Sequence, residues 1–130
     1  MSDPAMEFSI KIDRFAKDML PRKRNDFIRR IALGLFSKVI YKTPVDTGRA
    51  RGNWQCTLGD PARSVVGNLD KVGAPTVSSA DGTIKAARPG EVIWLSNNLP
   101  YIGRLENGWS KQSPYGMVKI SLAEIEARFQ

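Results

Sequence analysis

The stretch Thr43-Pro44-Val45-Asp46-Thr47-Gly48-Arg49, running on to Trp54, is where this chain changes periodicity, and that change most narrows what it can fold into. Before it, apolar residues recur at helical spacing. After it, Ala50, Gly52, Trp54, Cys56 and Leu58 alternate with Arg51, Asn53, Gln55 and Thr57, the two-residue period of a strand predicted over Arg49 to Leu58. Pro44 lacks an amide proton and biases Thr43 away from the helical region, so the helix is predicted to stop there. Asp46 and Thr47 can bond nearby backbone amides and Gly48 can take a positive φ. A well-built turn therefore accounts for these residue types without any chemistry.

The helix that ends at this turn is predicted from about Arg22 to Lys42 or Thr43, with Pro21 acceptable in its first turn. On a helical wheel Ile28, Ile31, Ala32, Leu35, Phe36 and Val39 form the centre of an apolar face, flanked by Phe27, Leu33 and Ile40. The polar remainder is narrow: Arg30, Gly34, Ser37 and Tyr41. Such an arc is wider than one sheet face needs, so a second apolar contact is expected. Two sources stay open at this point, the chain's own carboxy-terminal helix and a neighbouring subunit, with Arg30 and Tyr41 as candidate interface residues.

Elsewhere, Met6, Phe8, Ile10 and Ile12 alternate with polar residues and predict a short strand. Asp13 could cap a helical turn, with a break near Leu20. A brief strand is expected around Ser64 to Gly67. The run from Asn68 to Gly90, rich in Gly, Ala, Ser, Thr and Pro, shows no usable period and predicts a functional or mobile surface loop. Glu91 to Asn97 is apolar on both faces and short, which suits a central strand. Asn98 to Trp109 reads as a turn and a single helical turn, opened by Pro100 and stopped by Gly108. Ser110 to Gly116 is loop-like, and Val118, Leu122, Ile125 and Phe129 recur at the spacing of a closing amphipathic helix. The expected architecture is α+β, a long basic helix packed on a mostly antiparallel sheet with a C-terminal amphipathic helix. With 130 residues, 42% of them hydrophobic, one domain spanning 1–130 is expected.

The formal net charge is +7, and twelve basic residues (Lys11, Arg14, Lys17, Arg22, Lys23, Arg24, Arg29, Arg30, Lys38, Lys42, Arg49, Arg51) face four acidic ones (Asp13, Asp18, Asp26, Asp46) between positions 11 and 51. The rest of the chain is slightly acidic. This polarity suggests an anionic neighbour for one surface, either DNA or an acidic protein patch; a solvated helix face is the plain alternative. Arg22, Lys23, Arg24, Arg29 and Arg30 are the candidate phosphate contacts. Cations at a helix start oppose its dipole, which fits placement for a partner. No base-reading motif accompanies them, so any DNA contact is expected to be electrostatic and indifferent to sequence.

A catalytic role has little to work with. The chain has no histidine and one cysteine, which removes the commonest general base and any zinc site built on several thiolates. Asp46 and Glu106 could meet as a carboxylate pair, but a turn cap and a surface ion pair explain them more simply. No cofactor is expected. Cys56, on the apolar side of its segment, reads as a small buried hydrophobe. Trp54 and Trp94 are expected in the core, and Trp109, beside Gly108, at an interface. No segment reads as a signal peptide or a membrane span, so a soluble chain not secreted by a cleaved signal is expected.

Two stretches taken together carry a resemblance. Thr43-Pro44-Val45-Asp46-Thr47-Gly48-Arg49-Ala50-Arg51-Gly52-Asn53-Trp54 follows the long basic helix. After a long variable loop comes Asn97-Asn98-Leu99-Pro100-Tyr101-Ile102-Gly103-Arg104-Leu105-Glu106-Asn107-Gly108, and then a closing helix. In this order and spacing the chain resembles, from about Phe27 to Phe129, the tail-component family of long-tailed double-stranded DNA phages, the neck or tail-completion proteins of virions and prophages. That resemblance implies a non-catalytic ring, of six subunits, between tail tube and head connector, with DNA passing through its opening and the 68–90 loop ordering against a neighbour. It also implies that Pro44, Asp46, Thr47, Gly48, Arg51 and Trp54 set a helix-to-sheet corner, and Tyr101, Glu106 and Gly108 a second one. The place of action would be the virion, reached from the host cytoplasm during assembly. One departure from the pattern is Ser110-Lys111-Gln112-Ser113, which lengthens the path before Pro114.

Overall fold

The structure, a computed structural model, describes residues 20–128. The strand expected over residues 6–12 and the cap at Asp13 lie outside that range. Five helices and two strands follow one another: α1 (Pro21–Lys42), α2 (Arg49–Gly52), β1 (Gln55–Leu58), α3 (Ala74–Lys85), β2 (Ile93–Ser96), α4 (Ile102–Glu106) and α5 (Val118–Ala127). The fold class is α+β, as expected. β1 and β2 pair antiparallel, Gln55 opposite Ser96 and Leu58 opposite Ile93.

α1 begins and ends where the prolines dictate. Leu20 is extended (φ −60°, ψ 145°) ahead of Pro21, and Thr43 is extended ahead of Pro44 (φ −68°, ψ 127°). The centre of its apolar arc is covered: Ala32, Leu35, Phe36, Val39 and Ile40 are buried, with Ile28, Ile31 and Leu33 partly buried at the edge of the same cluster. Each large side chain so covered contributes about 1.5–3 kcal/mol. The second apolar contact of α1 comes from its own chain, because α3 packs on it as well as α5. The width of that arc therefore gives no separate support to a neighbouring subunit. β2 is buried throughout, with Ile93, Trp94 and Leu95 in the core that α1 also fills. The predicted strand at 91–97, helical turn before Gly108 and closing helix are all present.

Three expectations need correction. Arg49 to Gly52 is not strand but the helical turn α2, so β1 is only Gln55–Leu58. The alternation that suggested a longer strand has another cause: Ala50, Gly52 and Trp54 are buried by close approach of the chain at a corner, where Gly52 faces the backbone of Asn68. Ser64 to Gly67 forms no strand. Finally, the 68–90 stretch is not a structureless loop, because α3 occupies its centre, with Ala80, Ile84 and then Ala87 buried against the core. Its N-terminus is held by Asp70. That carboxylate accepts from the amides of Val72 (3.0 Å), Gly73 (2.7 Å) and Thr76 (3.0 Å) and from the Thr76 hydroxyl.

α5 is tied to α1 by charge as well as by packing. Glu124 accepts from Lys38 at 2.6 Å and pairs with Lys42 at 2.8 Å. The Lys38 ammonium first, then that of Lys42, holds its carboxyl down to about 2 against the opposing effect of burial. Burial likewise opposes the charge of Asp70, but its bonds to Thr76, Gly73 and Val72 outweigh it and keep that carboxyl below the ordinary range. Both folded values lie below the unfolded ones, so these groups stabilise the chain at neutral pH and lose that effect as acid protonates them. For Glu124 the loss runs from its ordinary value of 4.5 down to about 2. Glu124→Gln is therefore expected to melt below the parent at pH 7. The gap should close as the pH falls through that window, which a thermal melt at each pH reads directly.

Candidate functional site

The residues of the first motif build a corner out of backbone satisfaction. A helix end leaves carbonyls without partners, and at the end of α1 the Arg51 guanidinium takes them. It donates to the carbonyls of Ile40 (3.1 Å), Tyr41 (2.9 Å) and Thr43 (3.1 Å), and also to that of Lys71 (3.0 Å). A cation at this position also suits the negative end of the helix. The Thr43 hydroxyl donates to Val39 O (2.7 Å) and accepts from the Trp54 indole N–H (2.7 Å), which anchors the buried tryptophan to α1. Gly48, at φ +88°, passes so close to Asp70 that a Cβ would meet its backbone carbon at 2.6 Å. Its carbonyl accepts the Asp70 amide, joining this corner to the start of α3. Asn53, fully buried, bridges Arg49 O and Val66 N–H.

Not every motif residue does what its type suggested. Thr47 accepts the Arg49 amide (3.3 Å), and Pro44 is buried, but Asp46 is exposed and makes no hydrogen bond among the described residues. It caps nothing. Nor does it pair with Glu106, whose carboxylate is committed elsewhere.

Glu106 is the centre of the second corner. Its two oxygens accept the amides of Met117 (2.8 Å), Val118 (2.8 Å) and Lys119 (2.9 Å), so a side chain from α4 caps the start of α5. Tyr101 opens α4, and its carbonyl accepts the Arg104 and Leu105 amides. Gly108, at φ +85°, lies against Pro114, where a Cβ would run into the carbonyl oxygen. The segment between Gly108 and Pro114 links the corners through Gln112. The Gln112 amide accepts from Val45 N–H (2.8 Å) and donates to Val45 O (3.0 Å).

What these corners leave outside is apolar and aromatic. Trp109 is 72% exposed, with the Arg104 guanidinium over its ring at 5.1 Å; Tyr115 is 77% and Tyr41 50% exposed. Tyr41 and Tyr115 line one depression of about 220 Å³ with Arg51 and Gln112. The Tyr41 ring also rests against Gly73, next to exposed Val72 and, a few residues earlier, exposed Leu69. Trp54 and Trp94, by contrast, are buried, as expected.

The five candidate phosphate contacts divide. Arg22, Lys23 and Arg30 are exposed with no acidic partner among the described residues. Arg29 is turned inward, donating to Ala87 O beyond the end of α3 and facing Asp26 at 4.0 Å. Arg24 is half-buried and has a contact of its own. Among the described residues no three carboxylate or thiol groups gather as a metal site, and no helix is long and apolar enough to cross a membrane. Cys56 is half-buried, and desolvation pushes its thiol up to about 12, far from a nucleophile's range. Compared with protein-family models, curated proteins and solved structures, the chain has no significant match.

Proposed function

We propose that this chain is a non-catalytic building block of a phage tail or head–tail neck, acting as a ring of copies that joins or terminates the tail. One observation carries this reading. The motif side chains of Thr43, Arg51, Asn53, Trp54 and Glu106 hold two corners of backbone in place, while the large apolar groups around those corners, Tyr41, Val72, Trp109 and Tyr115, stand in solvent. Exposed aromatics on a rigid frame are the composition of protein interfaces, and Arg104 stacked on Trp109 adds to it. The partners on this reading are further copies of the chain, the tail-tube and head-connector proteins, and DNA in the lumen.

The reading predicts concentration-dependent closed oligomers, measured by light scattering and seen as rings by electron microscopy. Replacing Trp109 and Tyr115 by alanine should abolish them with little change in melting temperature, since neither side chain fills the core. A persistent monomer that binds neither tube nor connector protein would overturn it. The exposed Arg22, Lys23 and Arg30 favour a second reading, a nonspecific DNA-binding module, and a salt titration of DNA affinity on the same samples separates the two. That module requires the logarithmic salt slope to fall by about 0.9 for each of these cations neutralised, whether or not rings form.

A further inference from the structure

The two corners meet at a second concavity that the ring reading leaves unassigned. It is a cleft of about 590 Å³, within the usual size of binding pockets, about 300–1,000 Å³. Trp54 comes to it from the first corner and Ile102 and Glu106 from the second, while Leu95, Met117 and Val118 complete an apolar lining. The rim is basic. Arg63 and Lys119 are exposed, and neither side chain has an acidic partner among the described residues. The carboxylate in the lining, Glu106, has its oxygens filled by three amides of α5, at a helix terminus that favours negative charge.

Polar groups with spare capacity complete the lining. Among the described residues the exposed side-chain amide of Asn107 makes no hydrogen bond, and that of Asn98 uses only its N–H groups, on Ala62 O and Ser64 O. Ser96 is 7% exposed, and its hydroxyl has no partner among the described residues. A buried hydroxyl left unpaired works against stability, and this one, in the cleft wall, has its bonding capacity free for a ligand. In the free chain that oxygen is covered, and a ligand would reach it by turning it about the Cα–Cβ bond.

We propose that this cleft is a docking groove for a short extended peptide segment of a partner protein, one that carries an acidic side chain beside large apolar ones. The apolar lining takes the large side chains, Arg63 and Lys119 take the carboxylate, and the asparagine amides, each with donor and acceptor capacity, match a peptide backbone. A small organic anion would leave those amides unused. The proposal stands apart from the ring reading, because it needs only the folded single chain.

The test is a selection of random heptapeptides displayed on their own messenger RNA against the full chain, followed by binding of the best synthetic peptide. Enriched sequences are expected to place Asp or Glu beside Leu, Ile, Phe or Trp, and the peptide should shift the Trp54 indole resonance. Binding should be about tenfold weaker for the R63E/K119E double variant, and also for the peptide with Gln or Asn in place of its acid, which requires no change in the protein. Ser96→Ala should melt no lower than the parent yet bind several-fold more weakly. Enrichment without acidic residues, equal binding by the neutral peptide or by either variant, or shifts confined to surfaces outside the cleft would overturn the proposal. So would octanoate occupying the cleft at lower concentration than any selected peptide, which would make it a small-anion site.

Discussion

Arg51→Ala is expected to destabilise the chain by about 2–4 kcal/mol, one of the two largest effects of any single side chain outside the core. Four backbone carbonyls, three of them at the end of α1, lose a charged donor at once, although that of Ile40 keeps the Thr43 amide at 3.2 Å. Bonds to a charged group contribute about 1.5–3 kcal/mol each when measured singly, but they are not additive, and carbonyls near the surface can turn to water. Those two facts set the expected range below the simple sum. Arg51→Lys keeps the charge near the helix end but not the forked geometry, and should recover about 1 kcal/mol at most. Urea unfolding with an unchanged slope reads both values. A change within about 0.5 kcal/mol for the alanine variant would mean that water replaces the guanidinium and that the corner is held by packing alone.

Gly108→Ala should have an effect of similar size, about 2–4 kcal/mol, by a different route. A left-handed backbone penalises any Cβ by about 1–2 kcal/mol, and here the added carbon also meets the Pro114 carbonyl, so the loop to α5 must shift. Such a shift pulls on the Glu106 cap, two residues away. The control is Gly82→Ala in the middle of α3, where nothing lies within 4 Å of the added carbon. That exchange should stabilise by about 0.5–1 kcal/mol through helix propensity alone. Opposite signs from the same chemical change would show that backbone geometry decides the outcome. Equal effects would remove the second corner as an explanation.

How much of this was legible in the sequence depends on which physical signal each element sends. α1 and α5 announce themselves because Leu35, Phe36, Val39, Leu122 and Ile125 are large and periodic, and the prolines at 21 and 44 mark the ends of α1. α3 was hidden for the converse reason. Val77, Ala80, Ile84 and Ala87 do keep helical spacing, but two of the four are alanines, and glycine, serine and threonine fill the turns between them. The signal that could have revealed it is the pair Asp70 and Pro75, a capping acid and a first-turn proline. At the candidate site, residue type told less than partner. Asp46 looked like a cap and caps nothing, whereas the roles of Arg51 and Glu106 depend on carbonyls and amides eight or more residues away, which no local reading supplies. Trp109 and Tyr41, expected at an interface, are exposed in the single chain; Tyr115 is exposed too and sent no signal, since one aromatic in a loop carries no periodicity.

None of the helices described carries a side-chain hydrogen bond from its own N-cap residue. Their ends are held from elsewhere, α1 by Arg51, α3 by Asp70 and α5 by Glu106. A helix end held by a residue from outside the helix does not fray alone. The end of α1 should open together with α2, which carries Arg51, and the start of α5 together with α4, which carries Glu106, a coupling that amide exchange at those ends would read.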